Sequence, residues 1–235
     1  NRDIWIVTTI TYLDSIKYGS YLLTVGGLSS TPVLGQSFGD GIIPSSPPLP
    51  PYMVSPSSIR ISPDGTKLVA CYPTKFEYCN FNPITGMVTR LFFINPTFST
   101  FQYSIAEFSI DSRYLYIGTG LPGNVSLVLQ YDATKTDSAQ FHQSRIRIDS
   151  ANHRQAYFQM APDWKIYGAS LDRDSLCVIS NPSNQGLACN YQYNAVGLTG
   201  VCGDWLPQCV QRYKAYIHHT GNCQNSSIHF SGDIW

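Results

Sequence analysis

Carboxylates, histidines and cysteines are the side chains of this 235-residue sequence that could do chemistry, and their spacing decides which chemistry stays open. Three aspartates, Asp64, Asp111 and Asp163, recur at intervals of 47 and 52 residues. Two acids held a fixed distance apart are what glycoside hydrolysis requires, so a pair drawn from this set is the first catalytic candidate. Each of them, however, stands in a turn-like run, Ser62-Pro-Asp-Gly65, Ser109-Ile-Asp-Ser112 or Ala161-Pro-Asp-Trp164. Aspartate there caps backbone N–H groups, and that structural role accounts for the recurrence, with Asp64, Gly65, Asp111 and Asp163 as turn residues. A calcium loop of alternating acids ending in Glu is absent, and the chain has only two glutamates, Glu77 and Glu107. No Gly-x-Ser-x-Gly elbow presents a serine nucleophile. The five histidines, His142, His153, His218, His219 and His229, sit in polar contexts. His218 and His219 are adjacent, so on a strand they point to opposite faces and do not share a metal. The patterns imply no catalytic residue, no metal site and no cofactor.

The seven cysteines contain no C-x-x-C pair, and the histidines do not complete a zinc site. Neighbouring cysteines instead bracket short segments: Cys71 with Cys79, Cys177 with Cys189, Cys202 with Cys209. Disulfides there would close loops of about 8 to 13 residues, each contributing roughly 2 to 3 kcal/mol. So many cysteines argue for an oxidising, extracellular setting. Cys223 is left over, either for a partner outside the chain or as a buried thiol.

Lys+Arg and Asp+Glu balance at 15 each and charged residues make up 13%, so no basic field is present to bind a phosphate backbone, and nucleic acid is excluded as a partner. No apolar run approaches the roughly 18 to 20 residues that a membrane-spanning helix needs. Sixteen Tyr, 11 Phe, 18 Gly and 15 Pro favour pleated, half-buried strands joined by tight turns, with almost no helix.

The elements that must position these residues emerge from the repeat. Ile59-Arg-Ile-Ser-Pro-Asp-Gly-Thr-Lys-Leu-Val69, Ala106-Glu-Phe-Ser-Ile-Asp-Ser-Arg-Tyr-Leu-Tyr116 and Phe158-Gln-Met-Ala-Pro-Asp-Trp-Lys-Ile-Tyr-Gly168 align as strand, turn, strand. Further strand pairs follow each copy, and the period is that of a four-stranded propeller blade. The expected fold is all-β, with β-propeller blades of four-stranded antiparallel sheets, WD-like in repeat length. About four to five blades fit in the chain, as part of a ring of six or seven. An earlier blade is visible in Asp3-Ile-Trp-Ile-Val-Thr and Tyr21-Leu-Leu-Thr-Val-Gly-Gly-Leu. Because an open ring leaves raw sheet edges, the remaining blades are expected N-terminal to Asn1.

The order Asp3-Ile-Trp-Ile-Val-Thr, Ser62-Pro-Asp-Gly-Thr-Lys-Leu, Met160-Ala-Pro-Asp-Trp-Lys-Ile-Tyr and Val178-Ile-Ser-Asn-Pro-Ser-Asn-Gln-Gly-Leu-Ala-Cys resembles the propeller region of large Bacteroidota surface proteins, the gliding-motility-associated, type IX-secreted group. That resemblance implies blades over residues 1–217 and, over residues 218–235, a linker and the first strand of an immunoglobulin/PKD-like module. It also implies O-glycosylation at Ser15, Ser138, Ser150 and Ser175, each after an Asp. Asn124 and Asn225 match the N-glycosylation pattern. The proline-rich run at residues 44–56 reads as extended chain between blades, with a docking strap as the other reading.

The function expected from these features is a non-enzymatic binding and spacer module of an extracellular, cell-surface adhesin or fibre protein. Its partners would be other domains of the same parent, other subunits of a surface assembly, or glycans. The alternative is a carbohydrate-binding or carbohydrate-active propeller, lectin-like or glycosidase-like, whose aromatic residues stack on sugars.

Overall fold

The computed structural model describes residues 3–12, 15–37, 58–72, 75–94, 104–120, 126–151, 157–169, 173–202, 206, 218–220 and 229–231. Four four-stranded antiparallel sheets account for most of them. The first is built from β1 (Ile4–Tyr12), β2 (Ser15–Thr24), β3 (Gly27–Leu28) and β4 (Val33–Ser37), with β2 pairing all three others. The second runs in chain order through β5 (Ser58–Ile61), β6 (Lys67–Cys71), β7 (Phe76–Phe81) and β8 (Val88–Ile94). The third repeats that order with β9 (Ser104–Phe108), β10 (Tyr114–Gly120), β11 (Ser126–Asp132) and β12 (Ile146–Ala151), and the fourth with β13 (Tyr157–Met160), β14 (Ile166–Ala169), β15 (Ser175–Ile179) and β16 (Tyr191–Gly197). The fold is therefore the all-β arrangement of propeller blades. β17 (His218–Thr220) and β18 (His229–Ser231) form a separate two-stranded sheet, which places His218, His219 and His229 in one hairpin. Among the described residues the α-helix is α1 (Ser138–Gln143), capped by the Asp137 carboxylate, which accepts from Gln140 N at 2.9 Å.

The middle strands of the second and third sheets are buried on both faces, not half-buried as composition suggested. Successive side chains of β6 go to different cores: Leu68 and Ala70 pack towards Tyr18 of the first sheet, Val69 and Cys71 towards Phe108 and Ile117 of the third. β10 repeats the alternation, with Leu115 and Ile117 facing the second sheet and Tyr114 and Tyr116 the fourth. A sheet sandwiched between two others reads as a continuous apolar run, because neither set of alternate positions meets water. The third and fourth strands of the last three sheets share one irregularity, a register shift at Tyr78/Cys79, Val128/Leu129 and between Leu176 and Val178. A bulge at the same place in each blade sharpens the twist of its outer strand.

The hairpin alignment needs one correction. Ser62 N donates to Lys67 O and Ser109 N to Tyr114 O, but Ala161 N donates to Lys165 O, one residue sooner. The fourth sheet's inner hairpin is thus one residue shorter, and Tyr167, not Gly168, occupies the place of Val69 and Tyr116.

Within the described residues the cysteines expected to pair as Cys71–Cys79 and Cys177–Cys189 are not joined. Cys71, Cys79, Cys177, Cys189 and Cys202 are all thiols. Cys71 lies opposite Phe76 and Cys79 opposite Leu68, an odd offset that sends them to opposite faces and into different cores. Cys177 and Cys189 share a core and remain unlinked. Cys209 and Cys223 lie outside the described residues, as do the run at 44–56, Asn124 and Asn225. Without the pairs, cysteine number no longer argues for an oxidising compartment. Ser175 is buried and donates to Asn194 Oδ1 at 2.8 Å, whereas Ser138 is exposed on α1.

Trp5 ties the first sheet to the second. Its Nε1 donates to Pro83 O at 2.8 Å, and its ring covers Gly86, whose φ is +73°. A Cβ at Gly86 would stand 2.5 Å from Trp5 Cζ3. Replacing Gly86 with Ala adds this clash to left-handed strain and should cost about 2 kcal/mol or more, read as a lower urea midpoint at unchanged slope. A second measurement addresses the thiols. Burial pushes Cys71 up to about 11 and Cys177 up to about 12, so both are inert in the native chain. Unreduced protein unfolded in guanidinium should then expose at least five thiols to Ellman's reagent, and two or fewer would restore the disulfides.

Candidate functional site

The three recurring aspartates sit in nearly identical turns between the first two strands of each blade. Gly65 N donates to Ser62 O, Ser112 N to Ser109 O and Trp164 N to Ala161 O, at 2.8 to 2.9 Å. The donating residue is left-handed each time, with φ of 69°, 61° and 65°. Asp64 Oδ1 accepts from Ser62 Oγ at 2.6 Å and from Thr66 N at 3.0 Å, and Asp111 Oδ1 from Ser109 Oγ at 2.6 Å and Arg113 N at 3.2 Å. Burial raises the Asp64 carboxyl, but hydrogen bonds from Ser62, Thr66 and Ser112 outweigh it and hold the group below the usual carboxylate range. These acids are engaged in turn hydrogen bonds, Asp111 by its own turn and Asp64 by its own turn and by Ser112 of the next. Adjacent turns also touch, since Asp64 N donates to Ser112 Oγ at 2.9 Å.

Asp163 differs. It has no serine partner, because Ala161 replaces it; Oδ2 instead accepts from Tyr167 OH at 2.9 Å and lies 3.4 Å from Lys165 Nζ. Trp164 stands where the other turns have Gly65 and Ser112. A bulky residue at positive φ costs on the order of 1 kcal/mol or more.

Sequence reasoning passed over the two glutamates, although each stands between apolar strand residues, Phe76-Glu77-Tyr78 and Ala106-Glu107-Phe108. Both are fully buried. Glu107 lies on β9, the first strand of its blade, which packs against the first strands β5 and β13 of the neighbouring blades. Its Oε2 accepts from Met160 N of β13 at 3.2 Å and is 3.6 Å from Arg60 Nε of β5, while Oε1 accepts from Phe108 N at 3.0 Å. One carboxylate therefore joins three blades. Arg60, Glu107 and Gln159 occupy the same register position in the three strands, opposite Val69, Tyr116 and Tyr167. The Arg60 side chain is 12% exposed, and its buried Nε makes no hydrogen bond.

Glu77 does equivalent work between the first two sheets. Its Oε2 accepts from Tyr18 OH at 3.1 Å and Tyr72 OH at 3.0 Å, and Oε1 faces Arg90 Nη1 at 3.4 Å. Burial, with Cys79, Glu77 and Tyr72 close by, pushes the Tyr18 hydroxyl far above its ordinary value, so it stays a neutral donor. Between the third and fourth sheets Gln130 donates to Tyr116 OH at 2.6 Å and Asn184 O at 2.8 Å and accepts from Gly186 N at 2.7 Å.

Other reactive groups do not assemble. Ser138 Oγ is 3.4 Å from His142 Nδ1, but that nitrogen lies 2.6 Å from Ser138 O, a bond that needs a proton on Nδ1. It cannot also serve as the base for the hydroxyl. His153 lies outside the described residues. Among the described residues no three metal-ligating side chains converge, and no helix is long and apolar enough to cross a membrane.

Neither a protein-family description nor a curated protein sequence matches the chain. Solved structures do. A provisionally named 6-phosphogluconolactonase from Bacteroides uniformis superposes with a TM-score of 0.51 at 13% identity, covering 84% of this chain and 57% of that one. The periplasmic gluconolactonase of Pseudomonas aeruginosa gives 0.48 at 12% identity, with 84% and 56% covered. An auxiliary nutrient-binding protein from Bacteroides thetaiotaomicron gives 0.39 at 13% identity, with 75% and 45% covered. The chain thus spans a little over half the length of the first two. At these identities the likeness is one of fold. It nonetheless corrects the expectation that the chain is not an enzyme, because the scaffold matched at TM-score 0.51 carries an enzyme's name.

The Glu107 cluster makes a measurable demand on stability. Replacing Glu107 with Ala leaves the Arg60 charge and the Met160 N–H without this acceptor and should cost about 3 kcal/mol in urea unfolding. The Gln variant, which can still accept from the backbone, should lose less.

Proposed function

We propose that the chain is the blade-bearing part of a carbohydrate-directed propeller, one that binds or hydrolyses a sugar-derived ligand where its first strands converge. The observation that carries the reading is Arg60. A guanidinium whose Nε makes no hydrogen bond stands on the innermost strand beside a buried carboxylate, in register with Gln159. Such a group suits the oxygen-rich end of a sugar lactone or sugar acid, since guanidinium donors match carbonyl and carboxylate oxygens. In hydrolysis of a lactone it would polarise the ester carbonyl while water attacks, opening the ring to the hydroxy acid. The 6-phosphogluconolactonase and gluconolactonase names of the matched structures fit this class of ligand.

Placement outside the cell, in a surface protein of the gliding-motility-associated, type IX-secreted group, belongs to the same proposal. Its support is the order of strand and turn motifs along the sequence. Fractionating the native parent and finding it in the cytoplasm would end that part.

The test of the main reading uses the chain with glucono-δ-lactone and gluconate. Acid release in a pH-stat above the spontaneous rate, or a rise in melting temperature with gluconate, is the expected result. Replacing Arg60 with Met should remove it, a loss of about tenfold or more. Neither hydrolysis nor a thermal shift with either compound would sink the proposal.

A further inference from the structure

The fourth sheet's inner turn departs from its two counterparts in three ways that share one consequence. It is one residue shorter, it carries Trp164 where Gly65 and Ser112 stand, and its aspartate is held by Tyr167 and Lys165 in place of a serine within the turn. The first puts Lys165 directly after Trp164. The second sets an indole 40% exposed at φ 65°, a conformation that L residues with large side chains rarely adopt. Folding alone does not call for it, since glycine and serine serve the same turn in the preceding blades without that strain. The third leaves the Asp163 carboxylate half-exposed yet oriented, its Oδ2 fixed at 2.9 Å from Tyr167 OH and 3.4 Å from Lys165 Nζ. An exposed aromatic ring, an oriented carboxylate and an ammonium group are thereby confined to three consecutive residues.

We propose that Trp164, Asp163 and Lys165, braced by Tyr167, form a docking platform for a neutral hexopyranose. The indole face offers an apolar surface to the C–H face of the sugar ring. Asp163 accepts from one sugar hydroxyl or from two neighbouring ones, as a charge-assisted bond, and Lys165 donates to an adjacent oxygen. Neutral sugar is favoured over a sugar acid because the Asp163 carboxylate, one residue from Trp164, repels a second carboxylate. This inference rests on the carbohydrate reading but uses a site apart from Arg60.

Saturation-transfer NMR on the full 235-residue chain with methyl β-D-glucopyranoside, methyl β-D-galactopyranoside and methyl α-D-mannopyranoside tests it. Transfer to the ring C–H protons of at least one glycoside is expected. Trp164→Gly should reduce that signal at least fivefold while leaving the melting temperature unchanged or raised, because the strain is relieved. Trp164→Phe should keep part of the signal, and Asp163→Asn should weaken it. An unchanged signal in Trp164→Gly, or a Trp164→Gly chain that melts well below its parent, would overturn the platform. So would silence from all three glycosides. If Arg60-dependent lactone hydrolysis or gluconate binding persists through any of those results, only the platform fails. If it is absent too, the carbohydrate reading falls with it.

Discussion

Every described blade lies against a neighbour, so each polar side chain between blades must find its partner within its own blade or on the next. An unpaired buried polar group costs on the order of 1 to 3 kcal/mol, and a buried charge more. The three blade interfaces meet that demand with different chemistry: Glu77 with two tyrosines and an arginine, Tyr78 OH with Ala133 O at 2.6 Å, and Gln130 with Tyr116 and the 182–186 segment. Around these bonds the packing is aromatic. Phe141 of α1 stacks on Tyr131 at 4.9 Å and meets Tyr78 and Phe92 at 5.0 and 5.2 Å, closing the outer side of the second interface. Apolar burial supplies most of the stability, while the polar contacts fix which blade meets which.

The repeat was the legible part of the fold. Asp64, Asp111 and Asp163 mark turns by a local mechanism that needs no knowledge of the rest of the chain, and their period exposes the blade. What depended on tertiary partners was hidden. The expectation of half-buried strands failed because alternate positions on β6 and β10 meet two neighbouring sheets instead of one sheet and solvent. Pairing Cys71 with Cys79 failed for a related reason, since proximity in sequence says nothing about which face of a pleated hairpin each thiol takes. The one-residue deletion after Trp164 was invisible without backbone hydrogen bonds to count.

The candidate site was less legible than the fold. Glu77 and Glu107 are conspicuous as the only glutamates and as acids within apolar strands, but nothing local says that they face arginines on other strands. Arg60, Glu107 and Gln159 can be aligned once the hairpin register is known, and their divergence at one repeat position is then apparent. Trp164 stands in a recognisable turn, yet its left-handed backbone has no signature in residue type.

Glu107 also has a consequence for how the molecule comes apart. Repeat proteins can fray from an end because each unit touches only its neighbours. Here one carboxylate is bonded to its own blade and the following one and sits beside the charge of the preceding one. Detaching the fourth blade would strip an acceptor from Met160 N and alter the surroundings of the Arg60–Glu107 pair, which reaches back to the second blade. The free energy of opening is thus shared among three units, and loss of structure at the axis should be concerted, while the peripheral strands retain the freedom to exchange their amides one blade at a time.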